Sequence, residues 1–466
     1  PLSVYAPALE MGASPASIVF NMPIPIPGWL DSNLQDSYPQ NYGGGGYVGP
    51  ETLRYALRQS HNTAAAQALM QYVGVENSYT FLRKMGVADR NINKDGFGLA
   101  LGSSGITPVQ MASAFGTIAN SGVYLQPLSF SRVVDSAGNV ILDTSLSQDR
   151  ERVFSPGTCW MVTDMLKEAV AKGTGTKAKI SGQTVAGKTG TNSDFKGVFF
   201  AGMTGWYSAS VWVGHDNYKA LSSSATGGDF AAPLWKAFMS AIHTQKQLSD
   251  RDIIEANPAD LGLVRCTTCG VSGLLATNAC KHDVNGVSTV TDWWPQSTAP
   301  TSYCTMHQEL NICTETGLLA TEFCPSVETK GVVFIPYGHP LYNYTDKYAS
   351  TIERYLGHFA TVRLSNNATE NAYILQQLAC NVHTQSWGQT YQYEQQQQQS
   401  LNESAQAMIS QAYMLLTNRG WELSATNYQA VSNAIMSVEY SLYTQYDPSL
   451  LAISLESLRS ALELFN

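Results

Sequence analysis

The sequence predicts a chain in three parts, the first and largest being a mixed helix–sheet domain of enzyme size. Three observations carry this. Over residues 1–250, amphipathic helical stretches alternate with runs rich in Gly and β-branched residues, the mark of packed helices and strands. Residues 251–338 hold six of the eight cysteines and many turn residues, with little helical periodicity. Residues 339–466 are rich in Ala, Leu, Gln, Ser and Tyr at helical spacing, with Pro448 the single proline after Pro340. Proline-poor periodic sequence of that kind predicts a small helical bundle.

Composition sets the outer bounds. The 466 residues are 44% hydrophobic and 14% charged, enough to build buried cores and too apolar for a wholly disordered chain. Thirty-six acids against 27 bases leave a net charge of −9. Neutralising phosphates takes clustered Lys and Arg; no basic run occurs, so no nucleic-acid partner is expected. No apolar run approaches the ~18 residues of a membrane-spanning helix.

Taken in order, the elements have local causes. Glu51–Gln59 and Thr63–Tyr72 are helical by pattern, with Ser60-His61-Asn62 between them; alone, Ser60 reads as the N-cap of the second helix. Thr158–Ala171 reads as a helix that buries the thiol of Cys159. Val185 and its small neighbours favour a strand leading into Gly187-Lys188-Thr189-Gly190-Thr191, and Val198–Val213 reads as paired strands. The Gln395–Gln399 run reads as a solvated helix face or a linker between helices. The tail aromatics Tyr391, Tyr393, Trp421, Tyr440, Tyr443 and Tyr446 read as helix-packing residues, glycan binding being the alternative.

Two short motifs could carry chemistry. Lys188 places a positive charge on a strand edge, flanked by the Thr189 and Thr191 hydroxyls, and Gly190 leaves one face open for an extended anionic ligand. Gly182-Gln-Thr-Val-Ala-Gly187-Lys188-Thr189 matches the phosphate-loop pattern letter for letter. That motif needs a buried strand before it and a helix after it. Here Lys177–Ser181 is polar, and Gly190-Thr-Asn-Ser-Asp194 breaks any helix, which weighs against the nucleotide reading. The second motif is Ser60-His61-Asn62 itself.

The two together resemble a known family. The chain is similar to the transpeptidase domain of class A penicillin-binding proteins, which share Ser-x-x-Lys, Ser-x-Asn-type and Lys-Thr-Gly elements with class A β-lactamases. The resemblance covers residues 1 to about 245 in order. Leu53-Arg-Tyr-Ala-Leu-Arg-Gln-Ser-His-Asn-Thr63 looks like the helix leading to the family's second motif. Ala100-Leu-Gly-Ser103, Ile106-Thr-Pro-Val-Gln-Met-Ala112 and Ile118-Ala-Asn-Ser-Gly122 look like a further block. Gly173-Thr-Gly175, Val211-Trp-Val-Gly214 and Ala232-Pro-Leu-Trp235 also fit. Pro1-Leu-Ser-Val-Tyr-Ala-Pro-Ala-Leu-Glu10 is similar to the stretch directly after Ser-x-x-Lys, so the nucleophilic serine and its lysine are expected upstream of Pro1. A second departure is at Gly197 and Phe199, where the family commonly has Asp and Trp.

The resemblance implies an α+β fold of the β-lactamase/transpeptidase type, an antiparallel sheet flanked by helices with Lys188-Thr-Gly190 on its edge strand. It implies a D,D-transpeptidase that cross-links peptidoglycan stem peptides, lipid-linked or in nascent glycan, by serine acyl transfer. Ser60 would relay a proton, Asn62 would orient the substrate amide and the upstream lysine, and Lys188 would supply positive field. Thr189, Gly190 and Thr191 would bind substrate, the Thr191 N–H forming half of an oxyanion hole. β-Lactams are implied as trapped substrate mimics and the cell-wall synthesis machinery as a partner, with no cofactor in this domain. A D,D-carboxypeptidase and a non-catalytic binder of stem peptides or β-lactams are the alternatives. The implied location is the outer face of a bacterial cytoplasmic membrane, in a Gram-positive-type organism, with membrane attachment only through an anchor preceding Pro1.

The cysteines contain a repeat. Cys269-Gly-Val-Ser-Gly-Leu-Leu-Ala-Thr-Asn-Ala-Cys280 recurs as Cys313-Thr-Glu-Thr-Gly-Leu-Leu-Ala-Thr-Glu-Phe-Cys324. Disulfide and metal readings both stand. Cys266-x-x-Cys269 followed by Cys280-x-His282 offers ligand types that zinc accepts, but no histidine sits near Cys324, and His307 reads as a loop residue. The extracellular setting implied by the family permits disulfides. On that ground the favoured expectation pairs Cys269 with Cys280, Cys313 with Cys324 and Cys266 with Cys304, leaving Cys380 unassigned.

Overall fold

The computed structural model describes residues 1–466 apart from 31, 32, 34, 45, 193, 340, 343–361, 444–446 and 466. Tyr446 of the aromatic tail therefore lies outside the described residues. Two compact units form: residues 1–310 with 330–371, and residues 311–329 with 372–466. The second copy of the cysteine repeat thus folds with the helical tail, while the first folds with the N-terminal domain.

A three-stranded antiparallel sheet organises the first unit, with Gly197–Met203 between Ala186–Thr191 and Ser208–Gly214. Lys188 lies opposite Ala201, and Thr191 opposite Val198. Side chains alternate along the middle strand, as the period of two demands. Val198 and Phe200 enter a cluster with Trp235 and Met239 of helix Ala232–Gln245. Ala201 and Met203 face the larger core with Leu53, Ala56, Phe115 and Met165. The sheet is flanked by helices, as the resemblance implied.

Those helices start where their sequences say they should. Helix Pro156–Lys172 has Ser155 as N-cap, its hydroxyl accepting from the Thr158 N–H at 3.2 Å, and Pro156 in the first turn. It buries Cys159 completely, and that burial pushes the thiol well above its usual pKa. Helix Pro108–Ala119 opens with a reciprocal capping box between Thr107 and Gln110. Helix Leu53–Gln59, capped by Thr52, follows the strand Gly49–Thr52, which pairs with Ile18–Asn21. Leu53 is fully buried in the larger core, so trimming it to Ala costs about 2–5 kcal/mol.

The first cysteine-rich segment packs directly on this helix. Strands Leu263–Cys269 and Thr289–Pro295 pair antiparallel. From the second of them, Asp292 accepts from Arg54 Nε at 2.6 Å and Nη2 at 2.7 Å. Arg54 also meets Asp164 at 2.7 Å, and Arg58 meets Glu168 at 2.6 Å. Trp293 stands edge-on to Trp160, ring centres 5.5 Å apart.

In the second unit, helices Gln385–Arg419, Ala425–Tyr443 and Pro448–Leu462 form the expected bundle. Its core holds Ala405, Ile409, Ala412, Val431, Ile435, Val438, Leu451, Leu455 and Leu458. Gln395–Gln399 lies on a solvated stretch of the long helix. Most of the described tail aromatics do not pack as expected: Trp421 is 82% exposed, Tyr443 68% and Tyr393 63%, whereas Tyr391 stacks on Trp387 with ring centres 4.7 Å apart. The bundle's core is filled mainly by Ala, Val, Leu and Ile, with Phe465 the aromatic buried among them. No helix among the described residues is long and apolar enough to cross a membrane.

The disulfide expectation fails. No disulfide joins any of the eight cysteines. Cys266 is three residues from Cys269 on one strand, so the two point to opposite faces; Cys269 is buried and Cys266 half-buried. Cys304 instead joins Cys269 and Cys280, and Cys380 joins Cys313 and Cys324. In each group a third sulfur and a histidine converge where a disulfide would need two sulfurs in covalent contact.

Candidate active site

Ser60 closes the Leu53–Gln59 helix in the left-handed conformation, φ 62° and ψ 42°. It is thus a C-cap and not the N-cap that the sequence suggests. A non-glycine residue there carries backbone strain of roughly 1–2 kcal/mol. The strained turn aims the side chain across to the sheet, where Lys188 Nζ donates to Ser60 Oγ at 2.8 Å. The same ammonium donates to the carbonyl of Thr189 at 3.0 Å. Burial lowers the pKa of Lys188 from its usual value to about 8.

Beneath the turn a buried polar network fixes its backbone. His61 Nδ1 lies 2.9 Å from both carboxylate oxygens of Glu51 and 2.8 Å from Nδ2 of Asn21. Asn41 donates to Asn21 at 2.8 Å. Its own oxygen accepts from the Thr63 N–H at 3.3 Å and so caps the next helix from a distance. Burial raises the Glu51 pKa, and its bonds to His61 oppose the rise. None of Asn21, Asn41 and Glu51 stood out in the sequence, because isolated polar residues on short strands carry no pattern.

The Lys188 strand has its own support. Thr189 Oγ1 lies 2.7 Å from Thr174 Oγ1, in the Gly173-Thr-Gly175 segment. Thr191 Oγ1 accepts from the Gly227 N–H at 3.0 Å. A Cβ on Gly227 would meet the carbonyl oxygens of Gly190 and Phe199 at 2.5 Å, so only glycine fits there. Gly227 was missed for want of any motif around it. Asn62 stands apart: its side-chain amide donates to the Gln40 carbonyl at 2.9 Å. Gly190 faces Phe199, to whose Cβ an added methyl would come within 3.2 Å. The departure at Gly197 has a local cause, since a Cβ there would meet the Trp212 ring nitrogen at 2.6 Å. Trp212 takes that space from the neighbouring strand.

The site is therefore a serine hydroxyl, a half-buried lysine of lowered pKa and threonine hydroxyls along an open strand. It can hold a carboxylate and pass a proton.

Comparisons with known proteins bear on the fold and the family of these segments. Residues 27–240 match the family described as the penicillin binding protein transpeptidase domain. Residues 260–309 match the penicillin-binding protein 1A C-terminal domain. Penicillin-binding protein 1A of Clostridium perfringens is 34% identical over 67% of this chain and 37% of its own length. The Clostridium botulinum protein of that name is 32% identical over 72% of this chain and 40% of its own. The chain thus spans well under half the length of these relatives. The crystal structure of penicillin-binding protein 1A from Haemophilus influenzae has the same fold, with TM-score 0.54 at 24% identity over 65% of this chain and 48% of that one. Fold and matched segments define a penicillin-binding transpeptidase domain. The chain belongs to the class A penicillin-binding proteins.

Proposed function

We propose that this chain is the D,D-transpeptidase portion of a peptidoglycan synthase, a serine-type acyltransferase acting on stem peptides and trapped by β-lactams. The observation that carries the reading is Ser60, strained into a left-handed turn with its hydroxyl 2.8 Å from the half-buried Lys188 ammonium. Left-handed serines persist where the surroundings impose them, and such strain gathers at functional sites.

In the proposed reaction the nucleophilic serine of the transpeptidase family attacks the D-Ala-D-Ala carbonyl. The peptide C–N bond breaks and D-Ala leaves with the serine's proton; an amine of a second stem peptide then forms a new C–N bond as the acyl C–O bond breaks, its proton returning to the serine oxygen. Ser60 passes the proton to the leaving amine. Lys188 holds the substrate's terminal carboxylate with Thr189 and Thr191, and the Thr191 N–H stabilises the oxyanion. Asn62 takes its substrate-facing role only if its bond to Gln40 opens. Action at the outer face of a bacterial cytoplasmic membrane, alongside other wall-synthesis proteins, belongs to the same proposal.

The test is covalent labelling of the complete protein by a fluorescent penicillin. Labelling is expected, and Lys188→Ala should slow it at least about tenfold, since removing the cation that pairs with a carboxylate costs more than the roughly 1.4 kcal/mol of one decade in rate. Absence of labelling in the folded complete protein would defeat the enzyme reading.

A further inference from the structure

We propose that the chain holds two structural zinc ions, one at Cys269, Cys280, Cys304 and His307 and one at Cys313, Cys324, Cys380 and His383. In each group the three sulfurs and one imidazole nitrogen lie within 4.8 Å of one another. The first group lies wholly in the first compact unit and the second wholly in the other.

The geometry is that of tetrahedral coordination. His307 Nδ1 is 3.4 Å from Cys269 Sγ and 3.5 Å from Cys304 Sγ. His383 Nδ1 is 3.3 Å from Cys313 Sγ and 3.4 Å from Cys380 Sγ. Zinc–sulfur and zinc–nitrogen bonds of about 2.3 and 2.0 Å at a tetrahedral angle separate S and N by about 3.5 Å. In both groups Nδ1 is the nitrogen that faces the sulfurs. The other ring nitrogen is held by a carboxylate: His307 Nε2 by Asp283 at 2.7 Å, and His383 Nε2 by Glu315 at 3.0 Å. A carboxylate behind a ligating histidine fixes its tautomer and leaves the inner nitrogen free for a metal.

Backbone N–H groups also point at the sulfurs, as thiolates require. Val271 N and Ser272 N lie 3.3 and 3.4 Å from Cys269 Sγ, and Thr277 N lies 3.4 Å from Cys280 Sγ. In the second group Thr321 N lies 3.2 Å from Cys324 Sγ, and His383 N lies 3.4 Å from Cys380 Sγ.

The two groups are copies beyond the sequence repeat. Gly273 and Gly317 turn the chain at φ +73° and +71°, their N–H groups bonding to the carbonyls of Cys269 and Cys313. Leu275 then accepts from the Cys304 N–H at 2.8 Å, and Leu319 from the Cys380 N–H at 2.7 Å. The full unit is therefore Cys-x10-Cys followed by Cys-x2-His. The second half escapes sequence comparison because 24 positions separate Cys280 from Cys304 but 56 separate Cys324 from Cys380. Three thiols are an odd number, so a disulfide in either group would strand the third sulfur and the histidine. Four protein ligands leave no open position, the mark of a structural site. Each site loads by releasing three thiol protons to solvent as the cation enters.

Metal analysis of the complete protein, purified with zinc present and then dialysed, tests this. Two equivalents of zinc per chain are expected, and eight free thiols after denaturation with chelator and no reductant. Cobalt substitution should give a thiolate charge-transfer band with tetrahedral ligand-field bands. Cys380→Ser should lose one equivalent and Cys380→His should keep both, so loss of a ligand is separable from loss of fold. Fewer than two equivalents in the wild-type protein overturns the proposal. So does a peptide map that joins Cys269 to Cys280 or Cys313 to Cys324.

Discussion

Ser60 and Lys188 were both named from short motifs, but what they do together depends on quantities no motif contains. The Ser60 dihedrals are imposed by the His61–Glu51–Asn21 network below and by the end of the helix before it. Comparing Ser60→Ala with Ser60→Gly separates backbone from hydroxyl, since both lose the bond to Lys188. Glycine has no left-handed penalty, so the Gly variant should be more stable than the Ala variant by about 1 kcal/mol in urea unfolding. Equal stabilities would mean that the left-handed turn is not maintained in solution. Lys188 makes a separate prediction. Burial lowers its pKa to about 8, so it carries its proton below that pH and loses it above. The rate of penicillin acylation should therefore fall as pH rises through about 8. Lys188→Arg, charged at all working pH values, should remove that limb; a limb unchanged in the Arg variant would assign it to another group.

At the scale of elements, the sequence was legible wherever one periodicity ran long enough. The helices over Thr158–Ala171 and the tail, and the strands over Val198–Val213, follow from spacing alone. Three features were not legible, each because the cause is tertiary. Most tail aromatics read as core since rings usually bury, yet aliphatic residues and Phe465 fill the bundle core and leave Trp421, Tyr443 and Tyr393 exposed. Gly227 is required by carbonyls that arrive from residues 190 and 199. The cysteine pairing was misjudged because only half of each repeat is contiguous, and the decisive partners, His307 and Cys380 with His383, lie outside the copied segment. The Arg54 helix shows what such tertiary partners are worth. Arg54 grips Asp292, whose side chain is 7% exposed, with two hydrogen bonds. Arg54→Ala leaves that carboxylate buried without its cation and should cost about 3–5 kcal/mol, read as a lower urea midpoint for the first unit. A shift below about 1 kcal/mol would put the pair in the class of surface ion pairs.

For the whole molecule, the division into two units with separate cores predicts how it unfolds. The first unit joins the sheet core to a cluster in which Ile18, Phe20 and Met22 pack with Cys269, Cys280 and Cys304. The strand that carries Ile18 and Phe20 pairs with the one feeding the Ser60 helix. Anything that loosens the first cysteine group should therefore loosen the Ser60–Lys188 site. The second unit rests on its own bundle core, in which Leu455 is buried against the neighbouring helices. Calorimetry of the complete protein should show these units as distinct transitions, since two-state behaviour belongs to single cores. Leu455→Ala, at about 2–5 kcal/mol for a buried leucine, should lower one transition and leave penicillin labelling in place. Cys304→Ser should lower a different transition and take labelling down with it. If Leu455→Ala abolished labelling in protein whose other transition was unmoved, the Ser60–Lys188 site would depend on the bundle, and the two-unit account of this chain would fall.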